Sequence, residues 1–67
     1  MEAREMFEEL GYKRLGTPFE DLFQYGEYLS GAISFDTTYK MFDTNCTVNI
    51  ELYNAITQQM KELGWIE

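Results

Sequence analysis

No histidine, a single cysteine, one proline and only five basic residues occur among the 67 positions of this chain. Each shortage excludes a kind of chemistry. Without histidine there is no Ser-His or Cys-His pair, and no imidazole base that titrates near neutral pH. One cysteine excludes an internal disulfide and any cysteine-rich zinc site. Five bases against twelve acids give a net charge of −7. That is the wrong sign for a cationic stripe along a phosphate backbone, so direct nucleic-acid binding is not expected. The five glycines, at 11, 16, 26, 31 and 64, are too scattered to cradle a phosphate. Nothing approaches the ~18 consecutive apolar residues of a membrane-spanning helix. The opening Met1-Glu2-Ala3-Arg4-Glu5 is too charged for a secretory signal. The expected compartment is the cytoplasm, and the Asn45-Cys46-Thr47 glycosylation pattern is read as chance.

What the chain does have is aromatic area, eleven Phe, Tyr and Trp residues. Its length allows one domain, residues 1–67. Residues 2–10 predict a helix, because Ala3, Met6, Phe7 and Leu10 form one stripe at i, i+3, i+4 and i+7. Gly11 fits a left-handed helix end, with Tyr12 folding back towards Phe7. A second helix starts from Asn49 as N-cap, with Val48 and Tyr53 spaced as a hydrophobic staple. Leu52, Tyr53, Ile56, Met60 and Leu63 form its apolar face, while Gln58, Gln59, Lys61 and Glu62 read as solvated. Gly64 and Trp65 close this helix as Gly11 and Tyr12 close the first.

The middle predicts strands. Leu22 to Ser30 alternates in period two with large side chains on both faces, and Gly31 to Phe35 places Ile33 and Phe35 together. Asp36-Thr37-Thr38 reads as a hairpin loop into Tyr39 to Phe42. A two-residue loop, the favoured version, pairs Phe42 with Ile33, whereas a three-residue loop turns Tyr39 and Met41 to that face. Tyr12 to Leu15 is long enough to add an edge strand. The expectation is an α+β fold: helix, an antiparallel meander of three or four strands, and helix, with both helices on one sheet face.

Few groups could carry a reaction. Glu8-Glu9 and Glu20-Asp21 are adjacent in sequence, and neither pair sits in an apolar context that would raise a carboxyl pKa into the working range. Asp43, Asn45 and Thr47 begin like a calcium loop, but Val48 stands at its glycine position and Asn54 at its bidentate glutamate. Cys46 has no histidine to activate it and reads as a small, half-buried apolar side chain. No enzyme, metal site or cofactor is expected. Between Glu20 and Glu51 lie six acids and one base, a net of −5, on the stretch that supplies most of the strands. Glu20, Asp21, Glu27, Asp36 and Asp43 are therefore the candidate binding acids, with Tyr25, Tyr28 and Tyr39 as candidate anchors.

In the last helix, Leu52, Ala55-Ile56, Gln58-Gln59 and Lys61-Glu62-Leu63-Gly64-Trp65 resemble the ending of small uncharacterised phage and prophage proteins of Gram-positive bacteria. Glu9-Leu10-Gly11-Tyr12 resembles the end of their first helix. Asn49 stands where those sequences tend to have Thr. The resemblance covers the two helices, about a third of the chain, and transfers no functional residue. It implies a phage-accessory setting in the host cytoplasm, where small acidic inhibitors of host proteins are common. The expected function is non-enzymatic binding to a basic site on a host nucleic-acid-processing or defence protein. The alternative is a structural homodimer that buries its open sheet face or edge strand.

Overall fold

Two leucine-glycine-aromatic endings frame the architecture. In the computed structural model, which describes residues 1–27 and 30–67 (Ser30 and Gly31 by backbone alone), the elements are α1 (Ala3–Glu9), β1 (Lys13–Leu15), β2 (Leu22–Glu27), β3 (Ser30–Asp36), β4 (Met41–Thr44) and α2 (Ile50–Glu62). The strands form one sheet in the order β1-β2-β3-β4, every neighbouring pair antiparallel. Among the described residues the meander therefore has four strands. Of the strand expected over Leu22 to Ser30, Leu22–Glu27 form β2, Ser30 already belongs to β3, and Tyr28 and Leu29 lie outside the described residues.

Both helices end in the same capping geometry. Gly11 has φ +92°, its N–H donates to the Glu8 carbonyl at 3.0 Å, and the Tyr12 N–H donates to the Phe7 carbonyl at 2.9 Å. Gly64 has φ +77°, with Gly64 N–H to Lys61 at 3.0 Å and Trp65 N–H to Met60 at 2.9 Å. This is the Schellman arrangement, which satisfies carbonyls that the helix leaves unpaired. A methyl built on Gly11 would meet no atom nearer than the Glu27 carboxylate, 4.0 Å away. Gly11→Ala therefore has only the left-handed backbone against it, and should cost about 1 kcal/mol in urea unfolding.

At the other end of α2, the Asn49 side chain accepts the Leu52 N–H at 2.8 Å, the expected cap. The helices are also stitched to each other. The Ala3 N–H donates to the Glu62 carboxylate at 2.7 Å, so α2 supplies the acceptor that the first turn of α1 lacks.

The core lies between the helices and one face of the sheet. Ala3 and Phe7 from α1 meet Tyr25, Ile33 and Phe35 from the sheet and Leu52, Ala55 and Ile56 from α2, all buried. Phe7 stacks on Tyr25 with ring centroids 3.9 Å apart and meets Phe35 edge-on at 6.3 Å. Tyr25 pairs with Ile33, and Phe23 with Phe35, so these side chains share the helix-covered face.

Two assignments on α2 need correction. Gln59 is buried rather than solvated, because its Oε1 accepts the Tyr25 hydroxyl at 2.7 Å inside the core. Tyr53 is 56 % exposed, so the apolar face is narrower than its spacing suggests.

The β3–β4 hairpin also differs from the favoured reading. Asp36 Oδ1 accepts the N–H groups of Thr38 and Tyr39, at 2.9 and 3.1 Å, and Lys40 takes a left-handed φ of 55°. These contacts hold a four-residue loop, 37–40, and pair Phe42 with Phe35 instead of Ile33. The loop is longer by an even number, so Phe42 keeps its expected face. Leu15, Leu22 and Met41 share the opposite face with Gln24, Ser34, Asp36 and Asp43. That open face is mixed in polarity.

Candidate functional site

Two turns meet at one end of the sheet and bring the acids together. The Thr37 N–H donates to the Asp21 carbonyl at 2.8 Å, and the Thr38 hydroxyl donates to the Asp21 carboxylate at 2.7 Å. On the near side, the Thr17 hydroxyl donates to the Leu22 carbonyl at 2.6 Å, drawing the loop that carries Phe19 and Glu20 onto the start of β2. Asp21 and Asp36 thus have two roles. They hold the turns, and they leave negative charge at the sheet end.

Glu20, Asp21, Asp36 and Asp43 belong to this end. Glu27 does not. It ends β2 at the opposite end of the strand, in a shallow recess with Gly11, Lys13 and Leu15. Among the proposed anchors, Tyr39 is 72 % exposed at the hairpin tip. Tyr25 must be withdrawn: it is fully buried between Phe7 and the Gln59 amide. Tyr28 lies outside the described residues.

Other apolar side chains take the place of the lost anchors. Phe19 is 61 % exposed and Met41 55 % exposed, and Phe42 is partly exposed on the outer strand. A depression of about 460 Å³ near the β3–β4 turn is lined by Leu22, Ser34, Asp36, Met41, Phe42 and Asp43. Phe19 could have been noticed in the sequence, since a phenylalanine directly after Gly16-Thr17-Pro18 sits in a loop that has no core to face. Met41 turns to the covered face only under a three-residue loop, and the observed four-residue loop leaves it on the open one.

Among the described residues, the two perturbed titrations belong to the core and its margin. Burial raises the Tyr25 phenol above its ordinary pKa, opposed by the Arg14 guanidinium, which also lies 3.9 Å from the Phe23 ring centroid. Burial raises Tyr12 too, reinforced by the Cys46 thiol beside its hydroxyl. Cys46 is free and half-buried, packed against the core.

Among the described residues no cluster of three or more Cys, Asp or Glu side chains could hold a metal ion, and no helix is long and apolar enough to cross a membrane. Comparison with protein-family models, with curated proteins and with solved structures gives no match. What this end of the molecule offers is fixed negative charge around exposed apolar side chains. It is complementary to a cationic surface with apolar contacts.

Proposed function

We propose that this chain is a non-enzymatic protein-binding module whose target presents a basic site. One observation carries the reading. Glu20, Asp21, Asp36 and Asp43 lie at the same end of the sheet as the exposed Phe19, Tyr39 and Met41, where two turns are hydrogen-bonded to each other. The carboxylates would steer the encounter, and the apolar side chains would slow release. In the phage-accessory setting that the resemblance implies, the target is a host nucleic-acid-processing or defence protein, inhibited by occupation of its basic site. The surplus aromatic surface that would favour a homodimer is mostly used within the protomer, where Phe7, Phe23, Tyr25, Phe35 and Trp65 pack together.

Glu20 and Asp43 are exposed. They can therefore be reversed without cutting the turn contacts that Asp21 and Asp36 make. Glu20→Lys/Asp43→Lys should keep the fold by circular dichroism. It should slow association with a protein captured from bacterial lysate by about tenfold at low salt, and flatten the salt dependence of that rate. Unchanged rates for the double variant would refute an acidic docking surface.

A further inference from the structure

We infer that the outer edge of β4 takes up an extended basic segment of the partner as a fifth, antiparallel strand. This rests on the binding reading above and specifies its chemistry. The backbone pattern carries it. The Asn45 N–H donates to the Ala32 carbonyl at 2.9 Å, which marks a hydrogen-bonded position between β3 and its neighbour. Antiparallel ladders alternate, so Asp43 opposite Ser34, and Met41 opposite Asp36, bond inward. Phe42 and Thr44 then turn their N–H and C=O groups outward, on the side where the described residues add no further strand.

The two edges of the sheet are unequal. β1 is three residues long and carries Lys13 and Arg14, the short, cationic form that discourages strand addition. β4 has no cation between Met41 and Thr44, and both Met41 and Phe42 are exposed along it. Charge selects the occupant. Asp43 on β4 and Asp36 beside it face the open side of the sheet, while a second copy would bring another −7 to the same edge. The incoming strand should therefore place lysine or arginine on the open side, next to Asp43 and Asp36, and apolar residues beside Phe42 on the helix-covered side. Alternating basic and apolar residues follow from the pleat.

A capped nine-residue peptide of alternating lysine and valine is a suitable probe. Its valines lie opposite Phe42 and Thr44, so the valine N–H groups point at β4 and the lysine N–H groups point away. In titrations followed by amide resonances of the labelled protein, the unmodified peptide should shift Phe42 and Thr44. N-methylating the valines should weaken binding by at least about tenfold, whereas N-methylating the lysines should leave it nearly unchanged. Because only the peptide is altered, misfolding of a variant cannot mimic this result. Equal binding of both methylated peptides overturns strand pairing but leaves the acidic-surface reading standing. Absence of peptide binding, while Glu20→Lys/Asp43→Lys still slows capture of the lysate protein, has the same meaning. A sedimentation mass of twice the protomer, with the β4 amides protected from exchange, overturns the inference in favour of a second copy.

Discussion

Phe7→Ala is expected to leave the chain largely unfolded at 25 °C. Phe7 has no exposed surface, stacks on Tyr25 and meets Phe35 edge-on, so it joins α1 to two strands at once. Truncating a buried phenylalanine costs roughly 3–5 kcal/mol, through lost transfer energy and the cavity left behind. A domain of this size has only about 3–10 kcal/mol of total stability. Small chains also bury a smaller share of their surface, so little reserve is left to absorb the loss. Far-UV circular dichroism with urea titration checks this. A variant that retains most of the wild-type midpoint would mean that the neighbouring rings collapse into the space. Phe7→Leu, which keeps most of the volume, should cost much less.

The second large effect concerns Tyr25 and Gln59. Their hydrogen bond is 2.7 Å long and wholly inside the core. Removing one partner strands the other, at about 1–3 kcal/mol for a buried polar group. Tyr25→Phe and Gln59→Leu should each lose that much in urea unfolding. The double variant should lose clearly less than the sum, because both polar groups leave together. Additive losses would show that the two side chains do not depend on each other. There is a pH arm as well. The folded protein holds the Tyr25 phenol neutral beyond its ordinary value of 10.0, chiefly through burial. Folding stability is then fully present below the unfolded tyrosine pKa and is lost as pH rises through the folded one. The wild type should lose stability above about pH 10 more steeply than Tyr25→Phe does.

The helix ends were legible because their grammar is local. Leu10-Gly11-Tyr12 and Leu63-Gly64-Trp65 each specify a left-handed residue and a fold-back contact within six positions, and both form. The strand order was legible for a related reason: only short connections separate consecutive strands, and an antiparallel meander is the simplest way to join them. Gln59 was not legible. On a helix surface a glutamine reads as solvated, and only a tyrosine hydroxyl 34 positions away makes its burial tolerable. The hairpin register escaped because the Asp36 carboxylate, rather than strand propensity, determines how many residues the turn takes up. The acids were identifiable by residue type but not by place. Asp21 and Asp36 share one end because two turns are bonded to each other, whereas Glu27 leaves them by lying at the other end of the same strand.

The bond between the Ala3 N–H and the Glu62 carboxylate spans 59 positions. During synthesis, α1 emerges before the strands that it packs against, and Phe7 waits for rings made later. The meander can pair as it appears, yet the face that it turns inward stays uncovered until α2 arrives. Half of that cover is made after the strands, and chain growth at ~5–20 residues per second leaves an interval of seconds with the ring-bearing face bare. Folding in the cell is therefore completed only once α2 has followed the strands out of the ribosome. A stalled or truncated chain that lacks α2 would be a substrate for chaperones and proteases rather than a partial version of the protein.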